Sequence, residues 1–172
     1  MGLRSDSVAG VLAETGLLGN LLILEITETA IIGDIDASRT ILSELRRLGV
    51  RVALDDFGTG YSSLSYLRQL PVDMVKIDQT FLRPVEEGSA DPAFLQAIIR
   101  LADTLHLATI CEGIETLSQL TELQATACGY GQGYFLARPG PLVGIPATIQ
   151  AISCSGRFPA SASPAIRLLG GG

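Results

Sequence analysis

Two adjacent carboxylates, Asp55 and Asp56, stand where the apolar run Val50, Val52, Ala53, Leu54 gives way to Gly58 and Gly60. That pattern predicts a buried strand ending in a tight loop. Strand ends in parallel α/β proteins are where ligands bind. Two aspartates at one such end repel each other unless a cation lies between them. The pair therefore reads either as part of a divalent-metal site or as a polar turn with an aspartate cap. Other carboxylates take comparable positions. Glu25 and Glu112 also fall at the C-terminal ends of expected strands, and in a barrel such ends converge on one mouth. Hard ions such as Mg²⁺ or Mn²⁺ favour carboxylate oxygen. Lys76 lies in Val72-Asp-Met-Val-Lys-Ile-Asp78. Strand alternation puts it on one face with Met74 and Asp78. It faces either the barrel mouth or a structural ion pair with Asp78. His106, the only histidine, lies near an expected helix end and is given no catalytic role.

The elements that would position these groups alternate. Helices are expected over Asp6–Thr15, Asp34–Leu48, Ser63–Leu70, from an Asp91 cap through Pro92 to about His106, and from Thr116, which forms a capping box with Gln119. Strands are expected over Leu21–Ile26, Arg51–Asp55, Met74–Ile77, Ala108–Cys111 and Tyr130–Leu136. This alternation predicts an α/β fold with a mostly parallel sheet and right-handed crossovers. Beyond Gly140 proline recurs and no acidic residue follows Glu122. Residues 1–152 are read as one domain, with a short helix over Pro146–Ile152, and 153–172 as a flexible Ala/Ser/Pro/Gly-rich tail.

At 172 residues and 47% hydrophobic, the chain can bury a sizeable core. Its net charge of −6 and pI of about 4.7 argue against a nucleic-acid polymer as partner. The three cysteines, Cys111, Cys128 and Cys154, do not make a disulfide framework and suit reduced thiols in a cytoplasmic protein. No apolar run is long enough for a membrane span, and the first residues lack a signal-peptide core.

Five segments occur in order: Leu24-Glu-Ile-Thr-Glu-Thr29, the Asp55-Asp56 loop through Leu64, Val72–Asp78, Cys111-Glu-Gly-Ile-Glu-Thr116 and Gly129-Tyr-Gly-Gln-Gly-Tyr134. Over about residues 3–139 the chain resembles the EAL domain, the bacterial cyclic-di-GMP phosphodiesterase. The resemblance implies part of a TIM-like (β/α) barrel, with about five of its eight strands in this chain. It implies hydrolysis of cyclic-di-GMP to the linear dinucleotide with two divalent metals, Mg²⁺ or Mn²⁺. Glu25 would bind the first metal, Asp55 would bridge both, and Asp56 and Glu112 would serve the second. Lys76 would orient the attacking water or steady the phosphate. Glu28 would hold the Asp55–Gly60 loop, which bends at Gly58 and Gly60 and in relatives couples the site to a dimer interface. A homodimer is accordingly a candidate assembly. Glu115 would support the metal ligands from behind. Gln132 would contact a guanine base, its alternative being a turn residue. The family's Glu-Ala-Leu strand and its asparagine, both bearing first-metal ligands, are expected upstream of Met1. The expectation is therefore a chain that is weak or inactive alone, or completed by an N-terminal fragment. The alternative is a catalytically silent nucleotide-binding or protein-interaction fragment.

Overall fold

The computed structural model describes residues 4–58, 67–82, 92–154 and 167–168. The helix expected over Ser63–Leu70 falls largely outside the described residues, as do Gly60 and the Asp91 cap. Among the described residues the strands are β1 (Ile23–Thr27), β2 (Arg51–Phe57), β3 (Met74–Ile77), β4 (Ala108–Cys111), β5 (Tyr130–Gly131) and β6 (Arg167–Leu168). The helices are α1 (Ser5–Thr15), α2 (Glu28–Ile32), α3 (Ile35–Arg47), α4 (Pro92–Thr104), α5 (Leu117–Gln124) and α6 (Ile145–Cys154). The fold is α/β with parallel strand pairs, as the alternation predicts. Among the described residues no helix is long and apolar enough to cross a membrane.

The chain divides into two units, Met1–Lys76 with Leu105–Leu107, and Ile77–Thr104 with Ala108–Gly172. In the first, β1 pairs with β2 in parallel, Glu25 opposite Ala53 and Thr27 opposite Asp55. α3 forms because Asp34 accepts a hydrogen bond from the Ala37 N–H (3.0 Å) and because Leu42 and Leu45 return at helical spacing to the core. Gly49, at φ 82°, turns the chain from α3 into β2. The core holds Leu42, Leu45, Val50, Val52, Leu54 and Val75. Asp73 secures the approach to β3. Its N–H donates to Val52 O, and its Oδ2 accepts from the Val52 N–H, both at 2.9 Å.

Two elements of this unit are incompletely covered. No residue of β1 is fully buried, and among the described residues it pairs with β2. α1 buries none of Val8, Val11 or Leu12, and Gly16 (φ 69°) ends it, its N–H donating to Leu12 O.

In the second unit, β4 pairs in parallel with β5, Cys111 opposite Gly131, and β5 with β6, Gly131 opposite Leu168. The capping box at Thr116 and Gln119 is present and starts α5. The core gathers Leu95, Ile99, Ile110, Ile114, Leu120 and Leu123. α4 stops at Thr104, short of His106, whose φ of 58° no helix accommodates. The strand expected over Tyr130–Leu136 ends at Gly131. The Leu136 and Ala137 N–H groups donate back to Gly133 O, so the chain turns there instead. The two residues of β6 lie within the segment read from composition as a tail.

Candidate active site

The first unit brings three of the expected site residues together. Lys76, on β3, is 4% exposed. Its Nζ lies 2.6 Å from Glu25 Oε2 and 3.0 Å from Asp55 Oδ1. The β1–β2 register explains the meeting. Glu25 stands opposite Ala53, and Asp55 is two residues beyond Ala53 on the same strand. Strand alternation therefore places both carboxylates on one face. Glu25 keeps 48% of its side chain exposed and Asp55 24%, so the anions are hydrated on one side while the lysine is not.

Alternation would send Asp56 to the opposite face from Asp55. Its backbone instead takes φ 58°, which breaks the strand pattern at that residue. The Asp56 N–H donates to Asp55 Oδ1 at 3.0 Å, and Gly58 follows at φ 93°. Asp is one of the few side chains that tolerates the left-handed region, so the second aspartate is compatible with the bend itself. Glu28 is the first residue of α2, directly after β1.

The second unit carries the remaining residues. The Glu112 N–H, one residue past β4, donates to Ile77 O at 3.0 Å. Gly113 follows at φ 69°, and a Cβ there would collide with the Gln79 side chain. The exposed Glu115 is fixed through its backbone, its N–H donating to Gln119 Oε1 at 2.7 Å. Asp78 caps the turn Gln79–Phe81, accepting from the Thr80 N–H at 2.9 Å. Gln132 is held by its main chain. It donates to Cys111 O (2.9 Å) and accepts from the Ile114 N–H (3.1 Å). Gly133 beside it sits against the Ile114 backbone, where a Cβ could not fit.

Two further groups were read in the sequence without a part in the site. Gln119 is 3% exposed, and its Oε1 accepts from both the Glu115 and Thr116 N–H groups. The capping-box pattern was the signal for it, but not for its burial. The other group is the sulfur pair Cys111 and Cys128, 3.2 Å apart and buried. Their shared hydrogen bond, followed by burial, pushes the Cys111 thiol well above its usual value. The same hydrogen bond, against burial, brings Cys128 down to about 7.

Carboxylate oxygens at a strand end are the right donors for a hard divalent cation. Among the described residues, however, no group of three or more His, Cys, Asp or Glu is arranged to hold a metal ion. In this arrangement the charge held between Glu25 and Asp55 is the Lys76 ammonium.

Comparison with known proteins agrees with this frame. The EAL domain matches residues 5–139. The cyclic di-GMP phosphodiesterase NbdA of Pseudomonas aeruginosa is 42% identical over 164 residues, 95% of this chain and 20% of that protein. Among solved structures, the c-di-GMP complex of the PaMucR phosphodiesterase superposes with a TM-score of 0.76 at 43% identity, covering 81% of this chain and 57% of that one. The manganese/cy-diGMP complex of Klebsiella pneumoniae BlrP1 superposes with a TM-score of 0.70 at 32% identity, covering 78% of this chain and 35% of that one. The chain spans about a fifth of the length of the curated relatives it matches. With that match over most of its length, the chain belongs to the EAL domain family.

Proposed function

We propose that the chain is a cyclic-di-GMP phosphodiesterase domain that opens the cyclic dinucleotide to its linear form with divalent metal. One observation carries the reading: a buried lysine held between two strand-end carboxylates, Glu25 and Asp55, in a chain that matches the EAL family. Relatives named as cyclic di-GMP phosphodiesterases, and a neighbour solved with manganese and cy-diGMP, support it.

Glu25, Asp55 and Asp56 of the first unit would hold the cation, Mg²⁺ or Mn²⁺. Glu112, at the end of β4, is proposed as a metal ligand on the family resemblance alone. When bound, such a cation acidifies a water and neutralises phosphate charge. The side chains do the positioning. Glu25 and Asp55 share one face, so their oxygens present a single patch of negative charge. Lys76 lies at that patch with a cationic head and little freedom to leave it. We assign it to orienting the attacking water and steadying the phosphate oxygens as charge develops. Gln132, with its backbone locked on both sides, is assigned to a guanine edge of the substrate. Glu28 and Gly58 are assigned to holding the Asp56 bend, and Asp78 and Glu115 keep the supporting roles that the family resemblance implies.

A second reading is a module that binds nucleotide with slow turnover or none. Product formation from cyclic-di-GMP, measured with Mg²⁺ and with Mn²⁺ and with Glu112→Ala as control, tests both. Metal-dependent linear product that the control abolishes supports the phosphodiesterase. Nucleotide binding with no product under either ion supports the silent module. Neither binding nor product defeats both readings.

A further inference from the structure

The second unit holds two nucleophilic side chains that the proposed reaction does not use. Cys111 is the last residue of β4, and Cys128 lies in the turn between α5 and β5. Their sulfurs are 3.2 Å apart. Neither side chain is exposed to solvent. A disulfide bond is about 2.05 Å long, so the sulfurs already meet in contact with no other atom between them. Cys128 Sγ also lies 3.2 Å from Tyr130 O and 3.8 Å from Thr109 O. Those carbonyls hold it in the same small space as Cys111.

We propose that Cys111 and Cys128 form a dithiol redox site, closed into a disulfide by a hydroperoxide and reopened by a thiol reductant. A single small apolar side chain would fill either position without placing sulfur against sulfur. In chemical balance, the Cys128 thiolate attacks one oxygen of hydrogen peroxide. An S–O bond forms, the O–O bond breaks, and the departing hydroxide takes a proton to become water. The Cys111 sulfur then attacks the sulfenic sulfur. The S–S bond forms, the S–O bond breaks, and a second water leaves with the Cys111 proton. The two sulfurs are oxidised and both peroxide oxygens reduced. A reducing dithiol reverses the result by exchange, ending as its own cyclic disulfide.

Cys128, in the turn between α5 and β5, is taken as the attacking partner, and Cys111, fixed at the end of β4, as the resolving one. Burial selects the oxidant. A small, uncharged peroxide reaches an interior thiol through local opening more readily than a bulky disulfide does. Disulfides in reducing compartments are characteristically transient and redox-sensing. The bond would tie the end of β4, one residue before Glu112, to the turn that leads into β5.

The test uses the full chain carrying Cys154→Ser, so that these two are its only thiols. The protein is exposed to hydrogen peroxide, unfolded, alkylated and mapped without reduction. We expect the peptides bearing Cys111 and Cys128 to be joined, with the loss of two hydrogens, and to separate again after dithiothreitol. Adding Cys111→Ser should leave Cys128 without its resolving partner. Dimedone should then trap about tenfold more sulfenic acid than in the parent. Two freely alkylated thiols after peroxide would overturn the proposal. So would Cys128 oxidised to sulfinic acid beside an unmodified Cys111. The first arm leaves both cysteines in place, so the outcome does not depend on how the Cys111 variant folds.

Discussion

Lys76 Nζ lies 2.6 Å from Glu25 Oε2, a bond between β3 and β1 that spans 51 residues of sequence. Asp55 Oδ1 approaches the same nitrogen at 3.0 Å. The lysine is buried, while both carboxylates reach water. Removing its charge therefore leaves two anions side by side, with hydration to relieve them in part.

Lys76→Met keeps most of the volume and deletes the ammonium. The expected stability loss is about 1–3 kcal/mol, below the cost of stripping a partner from a fully buried pair. Hydrolysis, if the proposed role holds, should fall about a hundredfold or more, the scale of losing one preorganised electrostatic group. Urea unfolding and turnover on the same preparation separate the two effects. A folded Lys76→Met protein with undiminished turnover would remove Lys76 from the chemistry.

Asp56 combines a left-handed backbone with a carboxylate assigned to metal. The two properties separate by substitution. Asp56→Asn keeps a residue that tolerates φ 58°. It should unfold at nearly the parent urea concentration while binding Mn²⁺ more weakly by calorimetry. Asp56→Val puts a β-branched side chain at the same φ and should cost about 1–2 kcal/mol. Equal stability in the two variants would show that the bend is not held at that residue.

What could be read in the sequence follows the range of the interactions. Met74–Ile77 and Ala108–Cys111 are short apolar runs, and the strands fall on those residues. The Thr116–Gln119 box is local, and it is found as expected. The order of strands and helices, and with it the family, rests on such local signals. Pairings across the chain had no local signal. The sequence offered Asp78, two residues away, as a partner for Lys76. It gave no signal for the ion pairs of Lys76 with Glu25 and Asp55, which the β1–β2 register brings to one face. Tyr130–Leu136 looked like a strand by its apolar and aromatic content. Gly133, pressed against the Ile114 backbone, turns it after two residues. Cys111 and Cys128 read as separate reduced thiols, since they stand 17 positions apart with a helix between them.

The Glu112–Thr116 segment depends on one buried amide. Gln119 Oε1 accepts from the Glu115 N–H at 2.7 Å and from the Thr116 N–H at 3.0 Å. Thr116 Oγ1 in turn accepts from the Gln119 N–H at 3.3 Å. Thr116→Ala removes one capping bond and should cost about 1 kcal/mol. Gln119→Ala orphans two backbone donors in a covered site and should cost more, about 1–3 kcal/mol. Denaturation midpoints of the two variants rank the effects. The reverse order would mean that water replaces the amide at no cost.

The sulfur pair makes the reactivity of Cys128 depend on pH in a defined direction. Its value falls from an ordinary 9.0 to about 7, chiefly through the hydrogen bond with Cys111 and against the effect of burial. The thiolate is the reactive form. Below the lowered value Cys128 is mostly neutral, and above it mostly ionised. Cys111 moves the opposite way. The two shifts oppose each other in any dependence of stability on pH, so reactivity is the cleaner measure. In the Cys154→Ser chain, the rate of Cys128 alkylation should rise with a midpoint near pH 7, about two units below an unperturbed thiol. Cys111→Ala deletes the main cause of the shift and leaves burial, which raises the value, against the hydrogen bonds with Thr109 and Tyr130, which lower it. The midpoint should then climb toward 9.0. Peptide mapping after timed iodoacetamide pulses across the pH range gives both curves. A Cys128 midpoint unchanged by Cys111→Ala would show that the neighbouring sulfur does not set its ionisation.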